Sequence, residues 1–309
     1  MKVVVTGASG MIGTALLRRL QKHPELKIFA LSRDNYTHQH TENNVSWIHG
    51  DLQSRQVSLD LVSGSDIIFH LAHPLIPPTA ATDWTTATLE SMRVSLNLFA
   101  ALLHAGHCPK LVFVSSGGCV YGGTPLRGGS LESDLCQPTS VYGIEKLTIE
   151  HHIRLLAERR LVRGHIFRVA NAYGKLLPES RNQGLIGTAI NQAINRNPIR
   201  IFGSLDNVRD YVHVEDVCEA LLCSLDYEAE FDVFNIGTGT GTTVRGVLQN
   251  IEDCLGRPLR LIQTPLPSGQ SLPAYSVLNI EKANKILNWR PKIEILNGIK
   301  LMIDSAYPK

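Results

Sequence analysis

The chain has no Cys-x-x-Cys pair, no block of like charges, few aromatic residues (6%) and no long apolar run, and each absence removes a class of protein. Cys108, Cys119, Cys136, Cys218, Cys223 and Cys254 are scattered over 309 residues and outline no disulfide framework, which a chain of this length does not need. A reduced, cytoplasmic protein is the expectation. Lys and Arg number 30 against 28 Asp and Glu, a net charge of +2, and no basic tract offers a nucleic-acid face or a membrane face. Every apolar run falls well short of the roughly 20 residues that cross a bilayer. The first strand-like run begins at Lys2, so no leader is expected. Twelve histidines include His70, His73 and the pair His151-His152, but none stands at ligand spacing with other donors, so no metal site is expected.

What is present suits small-molecule chemistry in a large core, 43% of the residues being hydrophobic. Short β-rich runs alternate with helical patterns at Lys2 to Thr6, Lys27 to Leu31, Val45 to Ile48, Asp66 to Leu71, Lys110 to Ser115 and Arg163 to Val169. That alternation predicts an α/β fold with a Rossmann-like, doubly wound parallel sheet. Ile12, Leu16, Leu17 and Leu20 recur at helical spacing until Pro24, completing the first βαβ unit. Beyond Asn171 the chain is richer in Pro, Asn and Gly, with a strand-like Asp210 to Val212, a helical pattern from Val214 to Leu225 and a strand-like Asp232 to Asn235. We therefore expect a dinucleotide-binding domain over residues 1–170 plus 208–236, and a smaller, mainly C-terminal substrate lobe over 171–207 plus 237–309.

Gly7, Gly10 and Gly13 lie between the first strand and the first helix. Glycine lets the turn close and the backbone approach a pyrophosphate, which then meets the N–H groups and positive end of the helix. The Gly-x-x-Gly-x-x-Gly spacing matches the second half of the dinucleotide fingerprint but not its first pair, and a tight turn without ligand is the bland alternative. At the tip of the second strand, Ser32-Arg33 favours the 2′-phosphate of NADP, whereas Asp34 suits the ribose hydroxyl of NAD. Arg33 is equally readable as a solvated surface charge. Asp51, after the third strand, stands where it can meet an adenine.

Tyr142 and Lys146 are four residues apart and share one helix face. A free phenol titrates near pH 10, so a tyrosine that acts as a base needs positive charge nearby, which a lysine and an oxidised nicotinamide both supply. The pair follows a glycine loop and a strand that ends in Ser115-Ser116-Gly117-Gly118-Cys119-Val120-Tyr121-Gly122. With Gly50-Asp51-Leu52, Arg168 to Gly174, Arg209 to Asp216 and Leu272 to Trp289, these stretches resemble the extended short-chain dehydrogenase/reductases of the NAD-dependent epimerase/dehydratase family, nearest in pattern to sugar-nucleotide 4-epimerases.

The resemblance implies that Tyr142 exchanges a proton with a sugar hydroxyl while hydride passes between the same carbon and NAD(P), and that Lys146 holds the cofactor ribose and lowers the Tyr142 pKa. It also assigns Gly7, Ser9, Gly10, Met11, Ile12, Gly13, Ser32, Arg33, Asp51, Leu52, Leu71 and Ala72 to the cofactor, and Gly117, Asn171 and Arg209 to a nucleotide-sugar substrate. An arginine fork suits diphosphate oxygens, although a salt bridge to Asp210 or Asp216 is the plain alternative for Arg209.

Three positions depart from the family. Its hydroxyl that bonds the reacting oxygen falls on Gly117, which leaves Ser116 and Cys119 as candidates; on an extended strand Ser116 points away and Cys119 points to the same side as Gly117. Cys119 is also readable as a small buried thiol. A second diphosphate arginine is replaced by Pro267 to Ser271, and Ser91 stands near a usual asparagine. A 4-epimerase is therefore expected, with an NADP-dependent keto-sugar reductase, a dehydratase, or a catalytically silent nucleotide-binding protein as alternatives. A homodimer through the helices around Leu89 to Leu103 and Tyr142 to Leu156 is the family expectation.

Overall fold

The valines of the first strand are wholly buried, as a central strand covered on both faces requires. The computed structural model describes residues 1–34, 44–74, 84–123, 128–176, 184–266 and 272–306. In chain order it runs β1 (Lys2–Thr6), α1 (Met11–Leu20), β2 (Lys27–Ser32), β3 (Val45–His49), α2 (Arg55–Val62), β4 (Ile67–His70), α3 (Trp84–Leu102) and β5 (Lys110–Ser116). Then come α4 (Gly117–Val120), α5 (Val141–Glu158), β6 (Arg163–Val169), β7 (Asn171–Tyr173), α6 (Leu185–Ile194), β8 (Ile199–Phe202), β9 (Val208–His213), α7 (Val214–Cys223) and β10 (Phe231–Ile236). The last part comprises β11 (Gly241–Thr243), α8 (Val244–Leu255), β12 (Leu261–Thr264), β13 (Tyr275–Ser276), α9 (Glu281–Leu287) and α10 (Ile295–Ala306).

The large sheet has the order β10-β6-β5-β4-β1-β2-β3. Strand β1 pairs in parallel with both β2 and β4, so the strand order reverses beside it and opens a crevice at the carboxyl ends. This is the expected Rossmann-like sheet, and β10 is its one late-arriving strand. Among the described residues no helix is long and apolar enough to cross a membrane.

The chain divides into two compact units, one of residues 1–116, 140–168 and 218–234 and the other of 117–139, 169–217 and 235–309. The first centres on a core that includes Val4, Ile68, Leu98, Phe113, Ile149 and Ile166; the second packs Tyr173, Ile190, Tyr211, Ile251, Ile299 and Met302. Two segments fall differently from the sequence expectation. Residues 208–217 belong to the second unit because β9 bonds to β7, β11 and β13 in a small sheet. Residues 117–139 join it as well, tied there by the Ser130 bridge to Leu278 and by Asn235 Nδ2 donating to Ser130 O at 2.8 Å.

Candidate active site

The β1–α1 turn has the form of an anion cradle. Gly7 has φ +67°, and a Cβ on it would lie 2.7 Å from the Ala72 nitrogen, so no other residue fits without displacing backbone. A Cβ on Gly13 would run into the Gly7 carbonyl oxygen and lie 2.8 Å from Ala8 Cα, while one on Gly10 would sit 3.2 Å from the Gly7 oxygen. No side chain caps α1 at Gly10, and its first turn, which contains Met11, Ile12 and Gly13, holds no acid. The positive end of this helix is left for an external anion, which fits the pyrophosphate of a dinucleotide. Ser9 lies on the same turn.

Neighbouring strand tips line the same edge of the first unit. Ser32 is buried and its Oγ accepts from Asp34 N–H at 3.1 Å, whereas Arg33 and Asp34 are exposed. Asp51 Oδ1 accepts from Gln53 N–H at 2.8 Å, which closes a turn on the buried Leu52. After β4, Leu71 N–H donates to Thr6 O at 3.3 Å and Ala72 N–H to Thr6 Oγ1 at 3.3 Å. The sequence-expected cofactor residues of β1, β2 and β4 are thus adjacent along paired strands.

Tyr142 and Lys146 sit in the first turns of α5, whose N-cap Ser140 accepts from Gly143 N–H at 3.1 Å. The Lys146 ammonium is buried, donates to Val114 O at 2.9 Å, and lies 4.7 Å from the Phe113 ring centroid and 5.6 Å from that of Tyr142. A positive charge held this close to a phenol ring favours the phenolate. Deeper along the same face, Arg168 donates to both Glu150 oxygens at 2.7 to 3.1 Å, and Ser115 donates to Glu150 as well. Ser115 is therefore a strut of the sheet.

Sequence reasoning named His70 and His73 only in setting aside a metal site and Ser91 only as a departure near a usual asparagine, and it passed over Glu145. His70 links Thr6 Oγ1 and Ser95 Oγ, each at 2.9 Å, and His73, Ser91 and Glu145 gather beside Tyr142. The available signal was Glu145 itself: an acid three residues after Tyr142 on a face that continues through Ile149 and Ile153 is a charge on a buried stripe.

The segment after β5 departs from the extended path assumed for it. Strand β5 stops at Ser116 and residues 117–120 make one helical turn, so side-chain alternation does not relate Gly117 to Cys119. Within the second unit, Gly118 stands against Asn171, since a Cβ on it would be 3.7 Å from the amide nitrogen. Asn171 Nδ2 donates to Asp210 O at 3.0 Å. The Arg209 guanidinium donates to Val208 O at 2.7 Å, and burial lowers its pKa against the opposing charges of Tyr211 and Cys119. The salt bridge to Asp210 or Asp216 that was the plain alternative for Arg209 is not formed. Asp210 accepts from Thr238 N–H and Oγ1–H at 2.8 and 2.7 Å, and Asp216 from Lys292 and Ile293 N–H at 3.0 Å each. Among the described residues Arg209 has no carboxylate partner. Pro267 to Ser271, where the second arginine was missed, lies outside the described residues.

A doubly wound sheet with a glycine cradle on β1 and a Tyr-x-x-x-Lys pair on α5 defines the extended short-chain dehydrogenase/reductase class. The chain belongs to the NAD dependent epimerase/dehydratase family, whose model matches residues 3–237, and it is an enzyme of that family. It is 31% identical over 98% of its length to a dTDP-4-dehydro-6-deoxyglucose reductase of Escherichia coli, of which 96% is covered. It is 27% identical over 98% of its length to a putative UDP-glucose 4-epimerase of Methanocaldococcus jannaschii, covering 97% of that protein. Among solved structures, the UDP-glucose 4-epimerase of Thermus thermophilus in complex with NAD matches 100% of the chain and 99% of its own, at 26% identity and a TM-score of 0.87. That of Thermotoga maritima with UDP-glucose matches 99% of each chain at 25% identity and a TM-score of 0.88.

Proposed function

We propose that the protein is an NAD(P)-dependent nucleotide-sugar epimerase that removes and returns hydride at one sugar carbon, C4 in the reading the relatives favour. The observation that carries this is Lys146, a buried ammonium 5.6 Å from the Tyr142 ring centroid at the end of the sheet that holds the glycine cradle. When bound, the nicotinamide would supply a hydride acceptor and donor. Tyr142 takes the proton of the sugar hydroxyl and gives it back, and Lys146 keeps the phenolate accessible near neutral pH and reaches the cofactor ribose. The first unit binds the dinucleotide through Gly7, Gly10, Gly13, Ser32, Arg33, Asp51 and Ala72. The second binds the sugar nucleotide through Asn171 and Arg209, whose guanidinium is uncommitted to any described carboxylate and suits a diphosphate. Cys119 or Ser116 replaces the hydroxyl missing at Gly117.

A keto-sugar reductase is the second reading, favoured by the 31% identity to a reductase of that kind and by the exposed Arg33, which suits the 2′-phosphate of NADP. One assay separates the two. The purified protein, with any bound nicotinamide identified, is incubated with UDP-glucose and with its 4-epimer. Interconversion without added cofactor supports the epimerase, and stoichiometric loss of NADPH on a 4-keto sugar nucleotide supports the reductase. Tyr142→Phe is expected to lower turnover by about 10²- to 10⁴-fold in either case. Turnover near the wild-type level in Tyr142→Phe would sink both.

We also infer a homodimer. Leu89, Leu96 and Leu103 are exposed at seven-residue spacing along and just past α3, and Ile144 and Leu155 are exposed on α5, which packs beside α3.

A further inference from the structure

His73 follows β4 closely and sets its imidazole against the Tyr142 ring, with centroids 5.2 Å apart and planes at 71°. Its Nε2 lies 3.4 Å from Glu145 Oε2. Ser91 Oγ, from α3, is 3.4 Å from both ring nitrogens, which puts it over the face of the imidazole, and it donates to Glu145 Oε2 at 2.6 Å. Ser91 and Glu145 are fully buried, the His73 imidazole is nearly so, and Glu145 Oε1 has no hydrogen-bond partner among the described residues.

Burial, then the charge of Lys146, then His70 hold the His73 pKa well below its ordinary value, so the ring is neutral and carries a single N–H. The Ser91 proton is committed to Glu145, and a carboxylate only accepts. Glu145 Oε2 thus accepts from Ser91 Oγ–H and stands 3.4 Å from His73 Nε2, so Ser91 and Glu145 wall the imidazole on the side away from solvent. Such a group of buried polar side chains, with one carboxylate oxygen left unpaired, stabilises less than apolar residues of the same volume. Its result is to fix an aromatic edge against the phenol.

We propose that His73 is a positioning residue for Tyr142, tethered by Ser91 and Glu145 so that its imidazole fixes the plane of the phenol ring relative to Lys146. The inference rests on Tyr142 being the acid and base of the reaction. Among the described residues, the charged or titratable groups on this side of the phenol include Lys146 and Glu145 of α5, His73, and, behind it, His70 of β4.

The test combines kinetics with a spectral titration of Tyr142 by its phenolate absorption, its own curve being the difference between each protein and the same protein carrying Tyr142→Phe. His73→Ala is expected to lower kcat about tenfold or more with substrate KM within about twofold, as misalignment of a reacting group does. The Tyr142 midpoint is expected to rise toward that of a free phenol, because the ring is no longer held near Lys146. His73→Phe, which keeps an aromatic edge, is expected to recover part of both. Ser91→Ala, a small deletion that decides the matter should His73→Ala not fold, is expected to shift the midpoint in the same direction. A wild-type midpoint and kcat in His73→Ala, or in Ser91→Ala, overturns the proposal, and so does a rise in KM alone, which would make His73 a substrate contact. Full activity in Tyr142→Phe would instead defeat the acid–base reading, and the midpoints, which need no turnover, would still decide the part played by His73.

Discussion

His70 gives both ring nitrogens to hydroxyls of neighbouring elements inside the large sheet, and burial, followed by the charge of Lys146, holds its pKa at about 3. An unfolded histidine titrates near 6.5, so between the two values the unfolded chain binds a proton that the folded one refuses. The stability contributed by the neutral ring is fully present above about pH 6.5 and is lost as pH falls from there toward 3. By pH 5 one such histidine costs about 2 kcal/mol. His165, His213 and His73 are shifted the same way by burial and add to the trend. Urea unfolding at pH 7 and pH 5 is expected to show a loss of stability that is smaller in His70→Asn by roughly 1–2 kcal/mol. An equal loss in both proteins would show that His70 does not titrate on unfolding. The neighbouring Arg168–Glu150 pair is of another kind. With three hydrogen bonds between guanidinium and carboxylate and Ser115 donating as well, it is fully satisfied where it is buried.

Among the elements, the β1–α1 turn has little freedom to change. Gly7 combines a left-handed backbone with a Cβ position already taken by the Leu71–Ala72 backbone, and that backbone is itself tied to Thr6. Gly7→Ala is expected to lower stability by about 1–3 kcal/mol, since strain and displaced backbone add. It is also expected to abolish retention of nicotinamide through purification. Cofactor content measured on the released nucleotide checks this, and a Gly7→Ala protein that keeps its full complement would show that the turn does not hold the pyrophosphate. Helix α5 is constrained differently. Tyr142, Glu145, Lys146, Ile149 and Ile153 share its inward face, so one helix rotation sets the phenol, the ammonium and the tether at once.

For the whole molecule, Leu89, Leu96 and Leu103 with Ile144 and Leu155 are apolar side chains that one folded chain leaves exposed among the described residues of its first unit. A second copy would cover them with its own, as a two-fold interface does. Leu96→Glu places a charge in the middle of that surface and is expected to convert a two-chain species to a single chain in sedimentation equilibrium, with secondary structure unchanged. A mass of one chain for the unmodified protein would remove the dimer from the account.

Much of this was legible in the order of residues. The strand at Arg163–Val169, the glycine spacing of the first turn and the Tyr142–Lys146 pair all depend on neighbours within a few positions, because backbone dihedrals and the helical period act locally. The tertiary structure alone decided what came to lie beside them. It brought His73, just after β4, and Ser91 of α3 to Glu145 and Tyr142 of α5, and Glu150 to Arg168 and Ser115, since the order β6-β5-β4-β1 makes neighbours of segments far apart in the chain. It also curled residues 117–120 into a helical turn, which removes the extended path on which the orientation of Cys119 had been argued. Short-range preferences set which elements form; the burial of distant apolar faces against one another sets which polar groups must meet, and the second cannot be read from the first.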